Sequence, residues 1–563
     1  MSRRATVIAL AVSVVLIAGG LWWRASWVAD HLLRVDAARA IAEKSGNVYE
    51  LEVGRVRFHV LRRRADVDSV HLTTNDAVNA RRSRPRTALQ VELHQCLLTG
   101  VRLVPLILGR GLVAESFGCA RVSAEAAVPL PRVEPDTATP PRPTQQAFFV
   151  LQQGLKLPRS APSVRVTRIE FPHVELDVRI KRTRGDEARL ELAHLQWRMA
   201  DLEIDPADSA AMSRPLFSRT VQIQAENFVA HSDSATAVKV GGAVASLTDS
   251  TLDLRGIAYA PTVSDSAFAR ARPYRRSLIK TSAARIGVQG LDVGAFVLGL
   301  GVHARRVQVD SFRVNILSDK RRPPNPRRPV RRTPQGWIAD LGRGVGVDSL
   351  LVRNGEIVYR EQRPRQRQPG VMTFARLEAV AVNVRHAVGR RRSDNPTTLR
   401  ATTYVQNVGR LEAQFTMPLD APRFDMTFRG RLGPMPVSGL NEFVDRAFPF
   451  RLSKGRIKEI EFDATVRNGV ADGGVTPLYN DLAVEVTGHG SKGILGTGGV
   501  IGDAARGIAT FVGNATEMRS DNPEEGAQAP RRGTIRHVFT PNETLPAFLW
   551  FSLRDGLFGV VRK

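Results

Sequence analysis

The stretch VRVTRIEFPHVELDVRI places Val174, Leu176, Val178 and Ile180 at every second position, with Glu175, Asp177 and Arg179 between them. Side chains alternate across a strand, so this spacing demands a sheet with one apolar and one wet face. A helix cannot satisfy it, because residues two apart do not share a helix face. The period recurs at Tyr49, Leu51 and Val53, and again at Val56, Phe58 and Val60 beyond a shift at Gly54 and Arg55 that has the form of a bulge. It returns at Leu195, Trp197 and Met199, and at Ile460, Phe462, Ala464 and Val466. Antiparallel, one-faced sheet is predicted from residue 49 to about 487.

An internal repeat orders this sheet. GVRLVPLILGRGLVAESFGCARV, from Gly100, lies without gaps on GLDVGAFVLGLGVHARRVQVDSF, from Gly290; Gly100, Leu108, Gly109 and Gly111 match Gly290, Leu298, Gly299 and Gly301 at a constant offset of 190. Each segment runs into a Pro-rich basic stretch, a short amphipathic segment and a strand. Two copies of one β-rich unit are the implied organisation. Cys96 and Cys119 fall on Ile286 and Val309 of the second copy. Buried thiols and a disulfide both fit these positions; a metal or catalytic role does not.

The start of the chain constrains location. Arg3 and Arg4 precede an uncharged run from Ala5 to Trp23, which as a helix is about 28 Å long and matches a bilayer core. Trp22 and Trp23 stand where an aromatic belt belongs. A cleaved signal peptide normally has a shorter apolar region and an A-x-A site, which is not evident here. With Arg3 and Arg4 inside, the rest lies outside the cytoplasm. The formal charge of +26 predicts anionic partners, and this location makes lipid headgroups, not nucleic acid, the expected ones. Val28, Leu32, Val35, Ala38 and Ala42 then mark a juxtamembrane helix ending at Gly46.

Catalytic signatures are weak. The histidines form no H-E-x-x-H or metal-ligand cluster, and His173 and His194, adjacent to strand residues, are expected to face solvent. No nucleophile elbow or Walker A sequence occurs. LAVEVTGHGSKGIL carries G-x-G-x-x-G at Gly488, Gly490 and Gly493, but its strand alternates where a dinucleotide-binding strand is apolar on both faces. The glycines that follow, Gly496, Gly498, Gly499 and Gly502, leave no sound helix to receive a phosphate. The stretch is instead the expected last strand of the sheet and its exit turn. No cofactor and no enzymatic activity are expected.

Two features bear on membranes. The basic runs at 320–332, 360–369 and 389–394 fit solvated loops or contacts to anionic headgroups, with Arg321, Arg322, Arg327 and Arg328 the candidates. The C-terminal TPNETLPAFLWFSLRDGLFGVVRK offers Thr544 as N-cap and a stripe of Leu545, Phe548, Leu549, Leu553, Leu557 and Val560. That stripe fits a helix capping the sheet or one lying in a membrane interface.

The architecture and several phrases resemble the AsmA-like proteins of bacterial envelopes. The phrases are VDSLLVRNGEIVYRE and the segment from Arg431 to Gly488, in which Asn441, Gly455, Gly469, Tyr479, Asp481 and Leu482 stand at the family's places. FVGNATEMRSDNPEEG and the closing helix with Leu549, Trp550 and Leu553 also look like one branch of it. The basic loops are unusual for the family, and the chain is short beside its largest members. The resemblance implies a mainly β protein: an N-terminal transmembrane helix, then an elongated, mostly antiparallel repetitive sheet curled into an apolar groove, with short helices and a C-terminal amphipathic helix. Expected boundaries are 1–24 for the anchor, 25–45 for the juxtamembrane helix, 46–275 and 276–488 for the two repeats, and 489–563 for the glycine-rich segment and closing helix. It further implies a single-pass inner-membrane protein with its bulk in the periplasm, binding phospholipid or another acyl lipid and serving lipid transport or outer-membrane biogenesis. Val174, Leu176, Val178, Ile180, Ile460, Phe462, Val484 and Val486 would line such a groove; equally, they fit a closed core. An envelope scaffold that binds partner proteins through sheet edges, and an extracytoplasmic enzyme on an unfamiliar fold, are the other classes.

Overall fold

A computed structural model describes residues 37–82, 87–129, 162–181, 187–233, 236–270, 277–293, 301–323, 333–339, 344–364, 366–386, 395–447, 450–486, 518–540 and 543–562, with positions 35, 274 and 295. The chain is mainly β, with 22 strands assigned to one mixed sheet. Two compact units divide it. The first holds the described residues as far as Gly256 and those of Gln289–Gly299; the second holds the rest. The proposed anchor, with Trp22 and Trp23, lies outside the described residues, among which no helix is long and apolar enough to cross a membrane.

The first unit begins with α1 (Ala37–Ser45), which stops at Gly46 because φ there is +62°, a backbone region glycine enters without a Cβ clash. β1 (Tyr49–Val53) and β2 (Val56–His59) both pair antiparallel with β3 (Arg64–Thr74). The shift at Gly54 and Arg55 separates them, as the sequence pattern requires. After α2 (Asp76–Ala80), β4 (Ala88–Thr99) pairs with β3. α3 (Leu103–Ile107) leads to β5 (Leu112–Pro129), antiparallel to β4. β6 (Val164–Lys181) then joins β5 in parallel, with Leu112 opposite Val164. β7 (Glu187–Ile204), β8 (Ser218–Asp233) and β9 (Thr236–Ser246) continue antiparallel. The β6–β7 register shifts around Phe171 and Val174, where Pro172 cannot donate to the ladder.

The division between units falls within β10 (Thr251–Pro261). α4 (Asp265–Arg270) and β11 (Leu278–Gln289) follow. β12 (Gly301–Asp310) and β13 (Arg313–Asp319) are two parts of one path, and both pair in parallel with β14 (Gly344–Gln362). β15 (Gly370–His386), β16 (Thr397–Val405), β17 (Gly409–Met417) and β18 (Met426–Leu432) extend the sheet antiparallel. β19 (Met435–Pro436) and β18 both pair with β20 (Phe450–Arg467), which is preceded by α5 (Asn441–Ala447). β21 (Val470–Val486) pairs with β20 and with β22 (Gly533–Val538). The strand in LAVEVTGHGSKGIL, ending at Val486, is therefore not the last in the sheet; Gly488, Gly490 and Gly493 lie outside the described residues. α6 (Leu545–Val561) closes the chain.

The duplication is visible in pairing. Ala88 faces Ala127 in the first copy and Leu278 faces Leu317 in the second, both displaced by 190 residues. The parallel step after it also recurs, as Leu112 opposite Val164 and Val302 opposite Val345. Gly100 and Gly290 have φ of +65° and +64°, so the matched glycines mark the same left-handed turn.

Candidate functional site

The apolar face of the first unit is the region where a ligand groove would have to be. A buried cluster runs across its strands through Val67, Cys96, Cys119, Val122, Val174 and Leu195, and every described residue packed into it comes from a strand. The ladder sets these side chains in line: Val67 faces Cys96, Cys96 faces Cys119, Val122 faces Val174, and Val174 faces Leu195. Val174 is 6% exposed, and among the described residues its cluster contains no helix residue. Neighbouring strands are about 4.8 Å apart, so on a twisted sheet large side chains shelter small ones beside them. Phe117, Phe171 and Trp197 do this on β5, β6 and β7, with edge-to-face ring separations of 5.8 Å and 6.4 Å. Trp197 Nε1 is buried with no hydrogen-bond partner among the described residues, leaving a polar donor in an apolar lining. Cys96 and Cys119 form a disulfide, which decides between the two states open from sequence.

The second unit treats the same kind of face differently. Met426, Phe428, Val466, Val475 and Ile535 form a core closed over by Phe548 of α6, which is fully buried. The helix starts where sequence places it, with Thr544 Oγ1 accepting from the Ala547 amide at 3.3 Å. A Cβ added at Gly533 would meet the Gly556 carbonyl oxygen, so the helix sits directly on β22 through two glycines. His537 of β22 lies between Glu543 (3.1 Å) and Asp555 (3.8 Å), tying strand to helix by polar contacts as well. The stripe of Leu545, Phe548, Leu549, Leu553 and Leu557 thus packs on the sheet.

The groove candidates separate accordingly. Val174 is buried in the strand-only cluster, with Leu176 and Val178 half-buried farther along β6. Ile460 and Phe462 pack against the core under α6, and Val484 against a second cluster containing Val560 and Val561 of that helix. Ile180 and Val486 are placed by their backbones only, opposite Ala188 and Phe450. Val174 is buried, and Leu176, Val178, Ile460, Phe462 and Val484 are half-buried; what packs against them differs.

Of the headgroup candidates, Arg321 is engaged twice by Asp319, at 2.9 Å and 2.7 Å, and holds that carboxyl below its ordinary range. Arg322 is half-buried, and Arg327 and Arg328 lie outside the described residues. The residues on which the resemblance rests have structural roles. Asn441 accepts from the Leu452 amide at 3.0 Å and donates to its carbonyl at 2.8 Å, locking α5 to β20. Gly455, Gly469 and Asp481 all have positive φ. Tyr479 exchanges backbone hydrogen bonds with Asn522, at 3.2 Å and 3.0 Å.

The most buried carboxylate among the described residues is Glu361 on β14, 7% exposed. It accepts from Tyr359 Oη at 2.8 Å and contacts Arg363 Nε at 2.7 Å and Lys320 Nζ at 3.9 Å. Burial opposes its charge, but Arg363 and Lys320 overcome that opposition and hold the carboxyl below its ordinary value. Burial, then the Glu361 charge, pushes the Tyr359 phenol well up. Neither group changes protonation near neutral pH, which suits structure better than proton transfer. Among the described residues no cluster of His, Cys, Asp or Glu could hold a metal ion.

No family model matches the sequence, and no curated protein matches it.

Proposed function

We propose that this chain is a non-catalytic, AsmA-like envelope protein, anchored in the inner membrane by Ala5 to Trp23 with its bulk in the periplasm, that binds acyl lipid along an apolar β groove. Its role is phospholipid transport or outer-membrane biogenesis. The observation that carries this reading is the strand-only apolar stripe of the first unit, from Val67 through Val174 to Leu195. An acyl chain needs a continuous apolar surface and no buried polar chemistry. Strand side chains that shelter one another can part for a chain lying between them, while Phe117, Phe171 and Trp197 also pack against a neighbouring cluster that holds Leu106 of α3. The unpartnered Trp197 N–H offers one donor to an ester carbonyl at that surface. In this arrangement the repetitive sheet is elongated and curled around the stripe.

A second reading, a scaffold that binds other envelope proteins, is favoured by one observation: the apolar face of the second unit is sealed by α6. Mass spectrometry of lipids extracted from the purified full chain separates the two. Stoichiometric acyl lipid, with transfer between vesicles, is expected. Lipid-free protein that transfers nothing would leave the scaffold.

A further inference from the structure

Four arginines from three places in the sequence meet at the C-terminal end of α6. Arg519, Arg531, Arg532 and Arg562, with Gly559 and Val560, line an open hollow of about 490 Å³. Arg519 builds the wall: its Nη1 donates to the Val560 carbonyl at 3.1 Å and to the Arg562 carbonyl, and its side chain is only 14% exposed. A cation is well placed there, since the last carbonyls of a helix carry partial negative charge. Arg519 Nε also lies 2.8 Å from Glu524 Oε1, though not aligned for a hydrogen bond.

Once that wall is accounted for, positive charge remains. Arg531 reaches the same Glu524 at 3.5 Å, and Arg532 reaches Asp463 at 2.6 Å. Arg562 has no carboxylate partner among the described residues. Among the described residues, four guanidinium groups therefore share two carboxylate partners. A Cβ at Gly559 would touch nothing within 4 Å, so the hollow is open on the helix side. Planar guanidinium forks lining an open space suit the oxygens of a phosphate group, which such forks bind with paired, charge-assisted hydrogen bonds.

We propose that this hollow is a binding site for a phosphate group, carried by a small phosphate ester or by a phospholipid headgroup, with Arg531, Arg532 and Arg562 as its ligands and Arg519 as the residue that shapes it. The site is independent of the apolar stripe, and either can fail alone.

The test is calorimetric titration of the full chain in detergent with inorganic phosphate, glycerol 3-phosphate and dihexanoyl phosphatidic acid, at constant ionic strength. Arg531→Gln combined with Arg562→Gln is expected to weaken binding by at least about tenfold. Arg429→Gln, an exposed arginine on β18 in the same unit, is expected to change it little. Equal affinity for the three probes assigns the site to free phosphate; tighter binding of the diacyl probe assigns it to a lipid headgroup. Absence of binding by all three, or equal weakening by the Arg429 variant, overturns the proposal. An unaltered chain that is free of acyl lipid yet binds the probes would fail the groove and leave this site; one that carries acyl lipid yet binds none of the probes would do the reverse.

Discussion

Among the described residues, the first unit's stripe through Val67, Cys119, Val174 and Leu195 is packed by strand side chains, whereas in the second the stripe through Val466, Val475 and Ile535 lies beneath Phe548 of α6. One sequence period has produced two kinds of burial. A helix over a sheet makes a second layer, and removing that layer exposes apolar area at about 25 cal/mol per Å². Side chains sheltering one another along a sheet make no such layer, so their contacts can open with less loss. The second arrangement suits a fixed end to the sheet; the first suits a surface that takes a ligand.

Substitutions break this comparison in graded ways. Phe548→Ala should have the largest effect, about 3–5 kcal/mol, because it empties the centre of the helix-covered core. Hydrogen exchange read by mass spectrometry should show faster exchange in β21, β22 and α6, with β3–β7 unchanged; equal loss in both units would mean that α6 supports more than its own core. Replacing Cys96 and Cys119 by serine opens a link spanning 23 residues and should cost about 3 kcal/mol, seen as earlier urea unfolding of the first unit. An unchanged midpoint would show that the strand-only stripe does not depend on that link.

Glu361→Gln should cost about 2 kcal/mol, since Arg363 and Lys320 lose the charge they surround. The folded carboxyl titrates below its unfolded value of about 4.5, so its contribution is present above that pH and is lost as pH falls through the folded value. The variant should therefore lose less stability between neutral pH and pH 3 than the unaltered chain, measured by urea midpoints across that range. Smallest should be Arg189→Ala on the wet face of the first unit. Its pair with Asp177 spans 2.7 Å in solvent, and the change should stay under about 1 kcal/mol in the same assay. A larger shift would mean that the polar face also carries structure.

Much of the fold was legible because alternation is a direct consequence of strand geometry. Val174, Leu176 and Val178, the break at Gly54 and Arg55, and the matched turns at Gly100 and Gly290 all stand where the pattern places them. The parallel joining of β5 and β6 was not legible, since period two says nothing of strand direction. β22 was missed because its six residues turn only Gly533, Ile535 and His537 inward, too few apolar side chains to make a pattern. The same period could not separate Val174 from Phe462, because it reports that a face is buried and not by what. The arginine hollow was invisible for another reason: its members, from Arg519 to Arg562, are brought together only by β22 and α6 folding back.

The central claim, that acyl lipid occupies the strand-only face and not the helix-covered one, is tested most directly by photo-crosslinking in cells. A photoreactive phenylalanine analogue is placed at Leu176 in one version of the full chain and at Phe462 in another. The account predicts lipid adducts at Leu176 and none at Phe462. Adducts at neither position, or at both equally, would contradict it.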